Sequence, residues 1–384
     1  MDHAAFSDGI AALVPEVRAR RAEIEAARRL PADLAEALRR TGVFTLTVPR
    51  AFGGDESDPA TIMHAIETLA TADGSTGWCA MVGLGNNVAA GYMSEAGARE
   101  VFADPTLPTA GIAAPAGAAV RVDEGVLVKG RWPFASGIDN CAWVWAGCLV
   151  MEDGRPRMTE HGPEIIHVCM PAQALTVHDT WHVSGLSGTG SQDFSAADVL
   201  VPAERIFALL DPTHHRPEPL YQMPPLGLFI YQLACVGLGI ARAALDEFTE
   251  LAQSKPPSLY TEPMAARAAT QVELARAEAA IGAARSFLYE RVDDVWRTVI
   301  AGDAPNARQL ALARTACTQA VEAAAAVTRT VNTLGGGSSI YLASALQRHA
   351  RDAEAITHHF TVAPFTWEQA GRVLLGREPG VPAF

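Results

Sequence analysis

The sequence predicts an α+β fold, mostly α, in which a helical N-terminal domain (residues 1–106) and a helical C-terminal bundle (213–384) flank a central β-domain (107–212). Three observations predict it. Both ends are rich in strong helix formers. The middle breaks into short apolar runs between Gly, Pro and Asp. Apolar residues at helical spacing then return after a loop rich in Pro and His, Asp211 to Pro225.

Taken in order, Ala11 to Arg29 reads as one helix of Ala, Glu and Arg, and Pro31-Ala32-Asp33-Leu34 opens a second with proline near its first turn. Gly53-Gly54 breaks the chain, and Asp58-Pro59 starts a third helix running toward Ala72. Val126-Leu127-Val128, Val144-Trp145-Ala146 and Ile165-Ile166-His167-Val168 read as strands. Beyond the loop, Ile281, Leu288, Val292 and Val295 define the buried face of a long helix. The run Glu322-Ala323-Ala324-Ala325-Ala326 suits a helix packed closely in a bundle.

Composition excludes several functions. The 384 residues carry a formal net charge of -13 without basic clustering, which speaks against nucleic-acid binding. No unbroken apolar run has the length of a membrane span, no basic amphipathic stretch is present, and the N-terminus lacks a signal-peptide pattern. A cytoplasmic protein is expected. The six cysteines are scattered in apolar surroundings and read as small buried hydrophobes.

The chemistry is concentrated in two related segments. Trp132-Pro133-Phe134-Ala135-Ser136-Gly137 and Trp181-His182-Val183-Ser184-Gly185-Leu186-Ser187-Gly188-Thr189-Gly190-Ser191 each follow a tryptophan with hydroxyl and glycine residues. Aromatic faces beside hydroxyls and closely approachable backbone suit a flat heteroaromatic cofactor with a polar edge, a flavin. Each residue also has a plainer reading. Trp132 and Trp181 can be core aromatics, while Ser136, Thr189 and Ser191 can be turn residues.

The order helices, β-domain, helices resembles the acyl-CoA dehydrogenase superfamily over essentially the whole chain. The matching residues run from Gly42-Val43-Phe44 and Val48-Pro49-Arg50-Ala51-Phe52-Gly53-Gly54 through Asp73-Gly74-Ser75-Thr76-Gly77-Trp78. Val201-Pro202-Ala203-Glu204-Arg205 and Arg351-Asp352 continue the match. Within the superfamily, Trp132 to Gly137, Gly188 to Ser191 and a histidine after Arg351-Asp352 resemble the two-component flavin-dependent monooxygenases. These include hydroxylases of phenols and steroid-derived phenols, dibenzothiophene monooxygenases and amino-sugar N-oxygenases. The resemblance implies a β-barrel or sandwich, a four-helix bundle and a homotetramer. It implies FMN or FAD, delivered reduced by a separate flavin reductase, and a C4a-hydroperoxide that oxygenates an aromatic carbon, nitrogen or sulfur of a small organic substrate. By the same resemblance Ser136 stands near flavin N5 and His359, or its neighbour His358, faces the ring. Trp132, Phe134, Trp181, Thr189, Gly190 and Ser191 would hold the flavin, and Gly336 its phosphate.

The dehydrogenase alternative needs a carboxylate base. Thr357-His358-His359-Phe360-Thr361 and Leu226 to Gln232, the two family locations for it, contain no acid. Glu354 follows Asp352 too closely for that slot. The stretch Ala252-Gln253-Ser254-Lys255-Pro256-Pro257 lacks the family's Arg-x-x-Phe-Gly element and leaves FMN and FAD open. Asn86 and Asn87 stand where some aromatic hydroxylases place a substrate histidine, so either orients substrate or ties down a helix. Gly237-Leu238-Gly239 imitates a dinucleotide fingerprint inside helical texture, and His178 and His182 lack the glutamate of a zinc helix. Neither NAD(P)H nor a metal is expected to bind.

Overall fold

The computed structural model describes residues 3–160, 162–209, 211, 216–255 and 261–380. The expected boundary at 212/213 and residues Pro256 and Pro257 lie outside them. Six helices come first: α1 (His3–Ala19), α2 (Arg21–Ala27), α3 (Ala32–Arg40), α4 (Pro59–Ala72), α5 (Gly74–Asn87) and α6 (Glu95–Val101). Asp58 caps α4 by accepting the Thr61 N–H at 3.0 Å, and Asp73 caps α5 by accepting that of Thr76 at 2.8 Å. The single helix expected from Ala11 to Arg29 is two. The chain breaks at Arg20, and Arg28 then takes a left-handed conformation (φ 54°) that stops α2.

Strands follow as β1 (Thr109–Val122), β2 (Gly125–Ala135), β3 (Trp143–Glu152), β4 (Arg155–Pro156), β5 (Met158–Thr159) and β6 (Gly162–Pro163). The last four are β7 (Ile165–Pro171), β8 (Thr176–His178), β9 (Gln192–Pro202) and β10 (Ile206–Phe207). Eight of them form one sheet in the order β10-β7-β3-β1-β2-β9-β8 with β4 on β3, while β5 and β6 pair separately. All neighbours are antiparallel except β1 and β3. Bulges shift the register within β1–β3 and β2–β9, and β7 meets β9 across the layer, so the sheet folds over its own apolar interior. Val126, Val128, Val144, Cys148, Val168 and Phe194 fill that interior.

The remaining helices are α7 (Pro219–Gln222), α8 (Pro225–Ser254), α9 (Ala268–Ile300), α10 (Ala307–Leu334), α11 (Ala345–Thr357) and α12 (Phe365–Leu374). Helix α10 packs on α8, α9, α11 and α12. As the spacing predicts, Ile281, Leu288, Val292 and Val295 are buried on α9, and Ala324 and Ala325 are buried on α10. Gly239 lies in mid-helix, where a Cβ would come within 2.4 Å of the Glu67 carbonyl oxygen on α4. Close helix packing therefore explains the false dinucleotide motif. Although its apolar runs are interrupted, α8 is long and apolar enough to cross a membrane by length and mean hydropathy. Most of that stretch is buried against its neighbours, as in the central helix of a bundle.

Candidate active site

The two tryptophan-led segments are joined directly. Gly137 N–H donates to the Thr189 carbonyl at 2.8 Å. Trp78 on α5 donates its indole N–H to Ser136 Oγ at 3.0 Å, Ser136 Oγ lies 2.6 Å from Ser191 Oγ, and Ser191 Oγ lies 2.6 Å from Thr189 Oγ1. Thr189 donates its proton to the Leu186 carbonyl at 2.8 Å. Each hydroxyl has one proton, so that last bond fixes the rest. Ser191 must donate to Thr189, and Ser136 must donate to Ser191. Ser136 therefore receives from Trp78, gives to Ser191, and keeps one uncommitted lone pair.

His359 reaches the same tryptophan from the other side. Its ring stands edge-to-face on Trp78 at 5.9 Å and leans on Phe229 at 5.9 Å and Phe360 at 5.0 Å. The Thr361 backbone N–H donates to His359 Nδ1 at 3.3 Å, so a neutral ring carries its proton on Nε2. Burial, helped by the charge of Arg314, pushes the His359 pKa down to about 4. Near neutral pH His359 is thus an uncharged N–H donor. His358 is exposed at the end of α11, its backbone N–H on the Ala355 carbonyl. Of the adjacent pair, only His359 approaches Trp78.

Arg351 and Asp352 hold the second segment in place. Asp352 Oδ1 accepts the Leu186 N–H at 2.6 Å, and Arg351 donates to the Ser184 carbonyl. A Cβ on Gly185 would lie 2.1 Å from the Arg351 carbonyl oxygen, so only glycine lets the turn press against α11. This segment is a loop with one 3-10 turn at Ser187–Thr189, because Leu186 and Gly190 both turn left-handed. Burial and the neighbouring Asp73 push the Asp352 pKa up to about 7.

Phe134 also has a left-handed backbone (φ 69°), costly for an aromatic residue. Its ring is 65% exposed and meets the half-buried Trp181 edge-on at 6.2 Å. An exposed aromatic held by a strained backbone next to a hydroxyl relay is the cradle a flat cofactor would complete.

Other expected residues lie elsewhere. Trp132 is fully buried inside the sheet, stacked on Phe194 at 5.0 Å, with its indole N–H on the Gly147 carbonyl at 2.8 Å. It has no face left for a cofactor, and the core reading replaces the flavin one. Asn87 is likewise structural. Its amide donates to the Phe44 and Leu107 carbonyls at 3.0 Å each, and its oxygen accepts from Thr109 N and Oγ1. Asn86 is buried, with one long bond of 3.4 Å to the Thr109 carbonyl. Gly336 is exposed in the turn between α10 and α11. His178 bonds Ser195 Oγ at 2.8 Å, and His182 sits against Arg28. Sequence reasoning missed Trp78, on which Ser136 and His359 converge. Its position inside the Asp73-to-Trp78 motif was the available signal.

Comparison with known proteins settles the kinship. Residues 1–103 match the acyl-CoA dehydrogenase N-terminal domain and residues 231–364 the acyl-CoA dehydrogenase C-terminal domain. An indole-3-acetate monooxygenase from Acinetobacter baumannii is 36% identical over 96% of this chain and 94% of its own. The chain belongs to the acyl-CoA dehydrogenase family, on its flavin-dependent monooxygenase branch. The crystal structure of the HsaA monooxygenase from Mycobacterium tuberculosis superposes with a TM-score of 0.91 at 30% identity, covering 100% of both chains. XiaF from Streptomyces sp., solved with FADH2 and glycerol, gives a TM-score of 0.92 at 27% identity, covering 100% of this chain and 98% of its own. The family's dehydrogenase chemistry calls for a carboxylate base, yet Glu354, the acid nearest that slot in sequence, is exposed and paired with Arg329 at 2.6 Å.

Proposed function

We propose that this chain is the oxygenase half of a two-component system, receiving reduced flavin from a separate reductase and placing one oxygen atom of O2 on a small aromatic substrate. The observation that carries this reading is that Ser136 and His359 both contact Trp78, with histidine on the segment where a dehydrogenase keeps its base. Bound reduced flavin supplies the electrons that activate dioxygen. Phe134 and Trp181 would flank the ring, and Thr189, Gly190 and Ser191 would meet its polar edge. Ser136 would accept a hydrogen bond from the N–H of reduced N5 through its uncommitted lone pair. His359, uncharged near pH 7, would donate from Nε2 into the reacting volume without delivering a full proton. Trp78 and Phe229 would help to keep water from that volume.

FAD is the proposed flavin, in keeping with the FADH2 bound by XiaF. The oxygenase-subunit name of the Mycobacterium tuberculosis relative supports a reductase partner. The indole-3-acetate monooxygenases support an indole-sized substrate, with Asn86 as the remaining asparagine to touch it. Exposed Ile340, Tyr341 and Leu342, beside Gly336, support a homotetramer in which this turn meets a neighbour's flavin phosphate. The test is to supply the protein with chemically reduced FAD, O2 and indole. Oxygenated indole is expected. Anaerobic bleaching of bound flavin by an acyl-CoA thioester, with no oxygenated product, would overturn the reading.

A further inference from the structure

Two buried polar side chains on neighbouring helices lack partners, and both belong to the His359 side of the bundle. Gln232 on α8 is fully enclosed, and neither its amide oxygen nor its nitrogen has a hydrogen-bond partner. A Cβ on Gly85 of α5 would lie 3.4 Å from both Gln232 Oε1 and the Phe229 ring, which places the free amide beside the aromatic that leans on His359. Arg314 on α10 is buried, its Nε–H has no acceptor, and its guanidinium has no ion pair among the described residues. Its charge reaches both His359 and the Tyr231 hydroxyl. One turn further along α10, Thr318 bonds Thr366 at 2.8 Å, fixing this face of α10 against the chain just beyond His359.

An unpaired buried cation is expensive, because desolvation is not repaid by an opposite charge. Among the described residues, the other two buried arginines are answered: Arg21 holds Glu247, and Arg348 holds Glu25 at 2.8 Å. Arg314 stands apart. A single guanidinium among apolar and neutral polar groups is matched by one negative charge, since a dianion would leave an excess charge buried.

We propose that Arg314 is the counter-ion of a carboxylate carried by the aromatic substrate, with the Gln232 amide and His359 Nε2–H bonding the same molecule. The proposal rests on the monooxygenase reading and narrows its substrates to aromatic acids. Arg314 then sets specificity, because a neutral analogue leaves the guanidinium desolvated and unpaired.

The test compares indole-3-acetate with its neutral, nearly isosteric amide, indole-3-acetamide. Binding is measured by calorimetry on anaerobic protein loaded with reduced FAD, and by thermal shift on flavin-free protein. The wild type should prefer the acid by about tenfold or more. Arg314→Met should abolish that preference while leaving FAD affinity unchanged, and Arg314→Lys should retain part of it. Equal wild-type affinity for acid and amide, or a preference surviving in Arg314→Met, would overturn the proposal. So would dissociation of the Arg314→Met assembly by light scattering, which would assign the charge to a second copy of the chain. Failure of the wild type to bind FAD would sink the flavin reading instead, with the flavin-free comparison still readable.

Discussion

The direction of the hydroxyl relay makes a prediction about flavin redox state. Ser136 donates its only proton to Ser191, so toward the proposed cofactor it offers a lone pair. Reduced flavin presents an N–H at N5 and completes a hydrogen bond. Oxidised flavin presents a lone pair there and would face another. One such bond in a buried site is worth about 1–1.5 kcal/mol, and an uncompensated buried acceptor costs about 1–3 kcal/mol more. The wild type should therefore favour reduced over oxidised FAD by roughly thirtyfold to two-thousandfold. Two substitutions should move that ratio by different routes. Ser136→Ala removes the acceptor, strands the Trp78 indole N–H, and should collapse the ratio chiefly by weakening reduced FAD. Ser191→Ala frees the Ser136 proton, which can then be donated to oxidised N5, and should collapse it by strengthening oxidised FAD. Anaerobic fluorescence titrations of both redox forms with the three proteins supply the numbers. An unchanged ratio in Ser191→Ala would show that the relay does not run in the derived direction.

Other expectations follow from the same groups. Asp352 has a folded pKa raised from 3.8 to about 7, so the folded protein holds a proton that the unfolded chain gives up. Stability is then greatest below the unfolded value and falls as pH rises toward 7, by on the order of 2–4 kcal/mol. Asp352→Asn, which can still accept the Leu186 N–H, should melt higher than wild type at pH 8, with more than half of that gap gone at pH 5; a constant gap would contradict the burial argument. His359 titrates near pH 4, so the yield of product per flavin oxidised should be flat from pH 6 to 8 in the wild type. His359→Ala should raise hydrogen peroxide release at the expense of product across that range, and equal coupling would remove His359 from the site. Leu342→Asp places a charge on an exposed apolar turn and should shift the assembly to smaller species in light scattering; an unchanged mass would exclude that turn from the interface.

Much of the fold was legible because local rules and tertiary packing agree. Asp58-Pro59 starts a helix where an acidic cap precedes proline, and the apolar stripe through Ile281, Leu288, Val292 and Val295 is buried as its spacing requires. Pairing of the two tryptophan-led segments was legible too, and the Gly137-to-Thr189 hydrogen bond joins them. Which tryptophan faced the site was not. Trp132 alternates into a sheet interior whose register is set by β9, and nothing local distinguishes that face from the open one. Trp78 sits on a helix buried on every side, so no amphipathic pattern marked it. Asn87 offered the same polar atoms in sequence whether destined for substrate or for Phe44, Leu107 and Thr109. The isolation of Arg314 was equally invisible, since a lone arginine in a helix reads as a solvated charge until its neighbours are placed.

The central claim is that the oxygen atom placed on substrate comes from dioxygen and requires flavin supplied already reduced. Mass spectrometry of the product formed from reduced FAD, indole and isotopically heavy O2 tests it most directly. One heavy oxygen atom per product molecule, and none from heavy water, is the predicted result. Product labelled from water, or formed equally well from oxidised FAD without a reductant, would contradict it.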